Sequence, residues 1–204
     1  MEPSVFVHPH ALCETDKIGP RTRIWAFAHI LPGAVIGADC NICDHAFVEG
    51  DVRVGNGVTI KNGVQLFDGV IVDDHVFLGP NCIFTNDRNP RAAVKKGELQ
   101  RVPTHLERGC TVGANATIVC GVTLHPGAFV GAGAVVVNDV PAYAIVVGNP
   151  ARQIGWMCSC GERLDESLAC LCGLRFGVQS SGEGLQQLAP TAPKYAAPQP
   201  GRLL

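Results

Sequence analysis

The sequence predicts an all-β protein: a parallel β-helix of hexapeptide repeats with an inserted loop and a small C-terminal extension. Two observations carry this. A large apolar side chain recurs at every sixth position, from Phe6 through Leu12, Ile18, Ile24, Ile30, Ile36, Ile42, Val48, Val54, Ile60, Leu66, Val72 and Leu78 to Phe84. The series resumes in a new phase at Leu106, Val112, Ile118, Leu124, Val130 and Val136. Four residues beyond most of these stands a small apolar side chain, as at Ala28, Ala34, Cys40, Ala46 and Val52. An amphipathic helix repeats about every 3.6 residues and an ordinary strand alternates. A strict six fits hexapeptide solenoids.

If three hexapeptides close a triangular turn, residues eighteen apart stack, and neighbouring turns are joined by parallel ladders about 4.8 Å apart. The large aliphatic points into the prism, and the small one packs where the wall bends. Corners fall at Gly55-Asn56-Gly57, Asn62-Gly63 and Asp68-Gly69, where a positive φ is needed.

In chain order, residues 1–17 keep the period imperfectly, with polar His10 and Asp16 at small apolar positions, and read as a capping coil. The helix extends over 1–137. It is interrupted by a loop at 85–105 that opens with Thr85-Asn86-Asp87-Arg88-Asn89-Pro90-Arg91 and contains Lys95, Lys96, Glu98 and Arg101. A long excursion of definite composition from a repeating scaffold points to function. Residues 138–156 form a return segment, because proline cannot donate to a ladder and Val140-Pro141 should end it. Residues 157–176 form a cysteine-rich segment. Residues 177–204, rich in Ser, Gly, Gln, Pro and Ala, read as a disordered tail.

The balance of 16 basic and 18 acidic residues provides no field for nucleic acid or an anionic membrane. No apolar run reaches membrane-span length, and Met1-Glu2-Pro3 lacks the basic and apolar regions of a secretory signal, so the cytoplasm is expected. Of ten cysteines, Cys40, Cys82 and Cys110 take the small inward position. Cys158, Cys160, Cys170 and Cys172 cluster beyond the solenoid and have the ligand count of a closed, structural zinc site. Their Cys-x-Cys spacing departs from the usual Cys-x-x-Cys knuckle.

Several stretches carry a resemblance. They are Thr22-Arg23-Ile24-Trp25, Val76-Phe77-Leu78-Gly79-Pro80, Phe84-Thr85-Asn86 with Asn89-Pro90-Arg91, the run from Gly113 to Gly121, Gly131 to Val136, and Val147 to Trp156 with its Gly148-Asn149-Pro150-Ala151-Arg152 core. Over residues 18–156 the chain resembles the hexapeptide-repeat acyltransferases, in particular those that N-acetylate the 3-amino group of a nucleotide-linked sugar. The resemblance implies a left-handed helix, a homotrimer with active sites between subunits, acetyl-CoA as co-substrate, and a role in surface polysaccharide (O-antigen) biosynthesis. The implied substrate is UDP-2-acetamido-3-amino-2,3-dideoxy-glucuronate or a related sugar, with a dTDP-3-amino-3,6-dideoxyhexose as the alternative.

The resemblance places acetyl-CoA along the later coils, at Gly113, Ala114, Gly131 and Ala132, with Arg152 as a phosphate partner. Glycine and alanine at these positions also suit corners and core. Asn86 is implied to lie beside the reacting sugar, where an amide positions an amine without taking its proton; the blander reading is that Asn86 and Asn89 shape an Asx turn before Pro90. His45 is the candidate base, with an exposed corner residue as the bland reading. Asp44, Lys61, Asn62, Phe67 and Arg91 are the substrate-binding candidates; Asn62 lies eighteen residues after Asp44 and could share a cleft wall with it. At Asp44-His45, Lys61-Asn62-Gly63 and Phe67 the chain departs from the family's pattern, which leaves the sugar open. Two rivals share the fold. One is a γ-type carbonic anhydrase, although no two of the seven histidines are spaced by whole turns; the other is a non-catalytic scaffold.

Overall fold

The computed structural model describes residues 4–94, 102–181 and 184–188, and every regular element in it is a strand. Each hexapeptide contributes a two-residue strand and a corner, and the strands stack into three parallel faces. The first face is β1 (Phe6–Val7), β3 (Arg23–Ile24), β6 (Asn41–Ile42), β9 (Thr59–Ile60), β12 (Phe77–Leu78), β15 (Thr111–Val112) and β18 (Phe129–Val130), continued by β20 (Ala144–Val147) and β21 (Arg152–Trp156). The second is β2 (Leu12–Cys13), β4 (His29–Ile30), β7 (Phe47–Val48), β10 (Gln65–Leu66), β13 (Ile83–Phe84), β16 (Thr117–Ile118) and β19 (Val135–Val136). The third is β5 (Val35–Ile36), β8 (Arg53–Val54), β11 (Val70–Val72), β14 (Thr104–Leu106) and β17 (Thr123–Leu124).

The expected eighteen-residue register holds through the central coils, as in Ile24↔Ile42 and Ile42↔Ile60. The large inward aliphatics from Ile24 to Phe84 and from Leu106 to Val136 are all buried, as are the small residues between them. Two small inward positions carry threonine instead. Thr22 Oγ1 donates to Gly37 O at 2.8 Å and accepts from Cys40 N at 3.0 Å, while Thr104 Oγ1 accepts from Gly121 N at 3.3 Å. Hydrogen bonding at the coil junction compensates for burying a hydroxyl.

Most corners follow a second rule, with Asp51 and Asp139 outside it: the third residue after the inward aliphatic has positive φ. Gly33, Gly57, Gly63 and Gly127 meet it without a Cβ, and Asp39, His45, Asn81 and Asn115 are the residue types that tolerate it best. Arg21, Phe27 and Tyr143, at φ 60–62°, are bulky exceptions, and Phe27 is held by stacking. Its ring stacks between His10 and His45 at centroid distances of 5.8 and 5.0 Å.

The structure revises four expectations. The first coil is offset by seventeen residues, pairing Val7 with Ile24 and Cys13 with Ile30. Phe6 and Leu12, expected inside, therefore stand on the outer side and are 43% and 52% exposed. The segment from Cys13 to Ile18 is one residue short of a hexapeptide, and Ile18 re-enters the regular phase opposite Ile36.

The excursion is shorter than 85–105. Thr85 still donates to Ile118 O, and Thr104 already belongs to β14. Val72 pairs with Leu106, 34 residues on, which is one eighteen-residue turn plus sixteen added residues. The added residues leave the stack intact and account for the change of phase. Lys95, Lys96, Glu98 and Arg101 lie outside the described residues.

Val140-Pro141 does not end the ladder. Val140 donates to Thr123 and accepts from His125, so the missing proline N–H falls outside this exchange, and β20 pairs with β18 before β21 turns back antiparallel. Finally, the predicted tail contains an antiparallel pair, β22 (Phe176–Val178) with β23 (Leu185–Gln187), and Leu185 is buried. Residues 189–204 lie outside the description. No described helix is long and apolar enough to cross a membrane.

The register predicts unequal costs at two positions with the same phase in the sequence. Leu66→Ala should cost about 2–5 kcal/mol in denaturant unfolding, whereas Leu12→Ala should cost about 1 kcal/mol or less; equal losses would contradict the shifted first coil.

Candidate active site

The corner joining the first face to the second forms one edge of the prism. Asp44 and His45 follow inward Ile42, Lys61 and Asn62 follow Ile60, Gly113 and Ala114 follow Val112, and Gly131 and Ala132 follow Val130. Backbone bonds tie this column together: Gly63 N donates to Asp44 O, Asn81 N to Asn62 O, Asn115 N to Pro80 O and Gly133 N to Ala114 O. The structure thus aligns the sugar-side and cofactor-side candidates along one edge, at different heights.

Asp44 and Asn62 line a shared depression of about 440 Å³ with Arg23, Trp25, Asn41 and Cys43. The Trp25 indole donates to Asn41 Oδ1 at 2.8 Å, and Asn41 Nδ2 donates to Cys43 Sγ at 3.3 Å. Burial pushes the Cys43 thiol up, partly offset by the Lys61 charge. Sequence reasoning gave no role to Arg23, Trp25 or Asn41. Their signal was the eighteen-residue register, which puts 23 beneath 41 on the outer side of the first face. His45 is exposed on the corner with positive φ and stacks on Phe27, so the corner placement is met.

The second edge, between the second and third faces, holds the other candidates. Phe67 follows Leu66 and lies 6.2 Å from Phe47 between ring centroids. Asn86 follows Phe84 and Thr85 one coil above and is half-buried. The root of the excursion is pinned there: Thr85 Oγ1 accepts from Cys120 N at 2.9 Å, and Arg88 Nε donates to Cys120 O at 3.2 Å. Arg88, to which sequence reasoning assigned nothing, therefore fixes the segment carrying Asn86. Arg91 is exposed in the same segment, with Nη1 on Pro90 O at 3.1 Å. Asn89 N donates to Asp87 Oδ1 at 2.8 Å, so the Asx turn before Pro90 is formed by Asp87. A single chain therefore does not bring Asn86, Phe67 and Arg91 together with His45, Asp44, Lys61 and Asn62; the second face separates them.

Gly113 has a packing reason of its own: a Cβ there would lie 2.5 Å from Ala132 N. At Gly131 it would meet Val147 Cγ1 at 2.7 Å. Arg152 pairs with Val147 across β20 and β21, is exposed, and donates from Nη1 to Ala151 O at 2.9 Å. It thus stands at the upper end of the first edge.

The four sulfurs of Cys158, Cys160, Cys170 and Cys172 converge within 4.8 Å of one another. Cys158 and Cys172 approach to 3.6 Å, and Cys160 and Cys170 to 3.4 Å. Of the histidines, His29, His105 and His125 bond Glu14, Asp73 and Glu107 at 2.9, 3.0 and 3.3 Å. They are engaged with carboxylates on neighbouring coils rather than with one another.

A solenoid of hexapeptides with a polar edge, a glycine-lined upper end and an amide-bearing excursion defines an acyltransferase of the hexapeptide class. Residues 17–50 match the family described as bacterial transferase hexapeptide (six repeats), and residues 103–137 match the hexapeptide repeat of succinyl-transferase. The chain is 52% identical over 174 residues to dTDP-3-amino-3,6-dideoxy-alpha-D-galactopyranose 3-N-acetyltransferase of Aneurinibacillus thermoaerophilus, covering 84% of this chain and 90% of that protein. It is 36% identical over 143 residues to serine acetyltransferase 2 of Arabidopsis thaliana, over 69% of this chain and 35% of that one. Among solved structures it is similar to a hexapeptide-repeat acetyltransferase of Vibrio cholerae complexed with acetyl-CoA, at TM-score 0.51 and 25% identity, over 71% of this chain and 72% of that one. The N-acyltransferase AntD of Bacillus cereus, as a point mutant in complex with dTDP and coenzyme A, matches at TM-score 0.58 and 18% identity, over 75% and 81% of the two chains. The chain belongs to the hexapeptide-repeat acyltransferases, in the branch that acts on nucleotide-linked amino sugars.

Gly113→Ala separates packing from cofactor approach. Collision with the next coil should cost about 1–3 kcal/mol and lower the thermal midpoint; an unchanged midpoint with a raised acetyl-CoA KM would assign that glycine to cofactor approach alone.

Proposed function

We propose that this protein transfers the acetyl group of acetyl-CoA to the 3-amino group of a dTDP-linked 3-amino-3,6-dideoxyhexose, in surface polysaccharide biosynthesis. The observation that carries the reading is 52% identity, over 90% of its length, to a dTDP-3-amino-3,6-dideoxygalactose 3-N-acetyltransferase. The local chemistry agrees. Phe67 sits one coil below the excursion that carries Asn86 and Phe47 two coils below it, and the two rings suit a sugar whose C6 is a methyl group. Desolvating a glucuronate carboxylate against two aromatic rings would be costly.

The candidates divide between two edges, which supports a site completed by a second copy. In the proposed homotrimer, the first edge of one chain faces the second edge of its neighbour. The sugar then lies between Asp44, Lys61 and Asn62 on one side and Phe67, Asn86 and Arg91 on the other. Acetyl-CoA extends upward past Gly113, Ala114, Gly131 and Ala132 towards Arg152. Asn86 orients the neutral amine for attack on the thioester carbonyl, which forms the C–N bond and an oxyanion held by a backbone N–H; collapse of that intermediate then re-forms the carbonyl and breaks the C–S bond. The amine's proton leaves to His45 or to the departing thiolate.

Thiol release should be measured with dTDP-3-amino-3,6-dideoxygalactose, its gluco epimer and UDP-2-acetamido-3-amino-2,3-dideoxy-glucuronate, with product mass read in parallel. A dTDP-sugar should give the highest kcat/KM; preference for the glucuronate would restore the UDP reading. Asn86→Ala should lower kcat at least about tenfold with an unchanged thermal midpoint, and unaltered kinetics would remove it from the mechanism.

A further inference from the structure

The segment beyond Trp156 is built from two copies of one small motif. Met157-Cys158-Ser159-Cys160-Gly161-Glu162-Arg163 and Ala169-Cys170-Leu171-Cys172-Gly173-Leu174-Arg175 are each closed by an antiparallel bridge between their end residues. In the first, Gly161 N donates to Cys158 O and Cys158 N to Glu162 O. In the second, Gly173 N donates to Cys170 O and Cys170 N to Leu174 O. The glycines share an unusual backbone, with φ of 92° and 93°. Backbone N–H groups also reach the sulfurs, that of Cys160 to Cys158, of Cys172 to Cys170 and of Leu174 to Cys172. The two turns face each other, so the closest sulfur pairs run between them, at 3.6 and 3.4 Å. With Zn–S bonds near 2.3 Å, a tetrahedral site has sulfur–sulfur edges of about 3.8 Å, and an S–S bond is about 2.05 Å.

The same segment has a small buried core of its own, with Leu164, Leu168 and Leu174 packed against it. That core is Cys158, Cys170, Phe176 and Leu185, two of which are the converging cysteines. It meets the prism through Tyr143, whose ring lies 4.8 Å from that of Phe176, and through Leu185 N on Ala142 O. A core this small is stabilised in other small domains by a metal or disulfides.

We propose that Cys158, Cys160, Cys170 and Cys172 bind one zinc ion as four thiolates, and that the ion clamps residues 157–188 onto the terminal coil of the prism. Binding releases the thiol protons to solvent and leaves no open coordination position, so the ion is structural. The two turns become the facing halves of one site, although each is a residue shorter than a Cys-x-x-Cys knuckle.

The test uses the full chain, purified without chelator from zinc-supplemented medium under reducing conditions. Elemental analysis should find about one zinc per chain, and cobalt exchanged into the site should show the absorption of a tetrahedral thiolate centre. Cys160→Ser and Cys172→Ser, which alter the less buried ligands, should lose most of the metal and become cleavable by protease within 157–188, with far-ultraviolet dichroism retained. Cys13→Ser should keep the metal. Protein that is metal-free with four reduced thiols, protein whose intact mass reveals disulfides, iron in place of zinc, or zinc retained in both ligand variants would each overturn the proposal.

Discussion

Everything in this molecule rests on one packing constraint: an inward aliphatic side chain must sit on its counterpart one turn away. Once Ile24, Ile42 and Ile60 are stacked, their backbones fall into parallel register, and the corner three residues on must bend with positive φ. Buried apolar area is the dominant stabilising contribution, and here each coil obtains it only from its neighbours. The outward residues of the strands and the polar residues of the corners consequently lie outside that buried core. Their positions are fixed to within a coil spacing by a core they do not belong to.

That constraint decides how an active site can be made. The edge after the first face runs unbroken from Asp44 to Ala132, and the edge after the second carries Phe67 and the root of the excursion with Asn86. Two edges of adjacent prisms can form a groove, with the excursion as one wall and the coil corners as the other. Arg88 and Thr85, both bonded to Cys120, keep Asn86 tied to the solenoid where the chain departs from it. The C-terminal extension applies the same logic at the open end, where no further coil covers the stack.

The repeat was legible in the sequence because a period of six has few structural solutions. Its interior phase, the buried small residues and the positive-φ corners follow from aliphatic spacing and from glycine, asparagine and aspartate chemistry. The ends were less legible for a physical reason. The first coil has a neighbour on one side only, so Phe6 and Leu12 could drift to the surface without a cavity penalty and the period gave no warning. Pro141 misled because its effect depends on whether its N–H has an acceptor to reach, which sequence does not show. The hairpin of Phe176–Val178 with Leu185–Gln187 is held by contacts to Tyr143 and Ala142 that are remote in sequence. Asp44 and Asn62 line one depression, as their eighteen-residue separation predicts. The contacts of Arg88, Trp25 and Asn41 were not legible, because they are hydrogen bonds across coils.

The central claim, that catalysis occurs in a groove shared by two copies, can be tested by mixing two damaged proteins. Asn62→Ala impairs the first edge and Asn86→Ala the second. If each groove takes one edge from each of two neighbouring chains, unfolding and refolding the variants together should regenerate intact grooves, up to about a quarter of the wild-type number by random assortment. Acetyl transfer well above the sum of the separate variants is the predicted result. A mixture no more active than that sum would mean that each chain carries its site alone, and the two-edge account would be wrong.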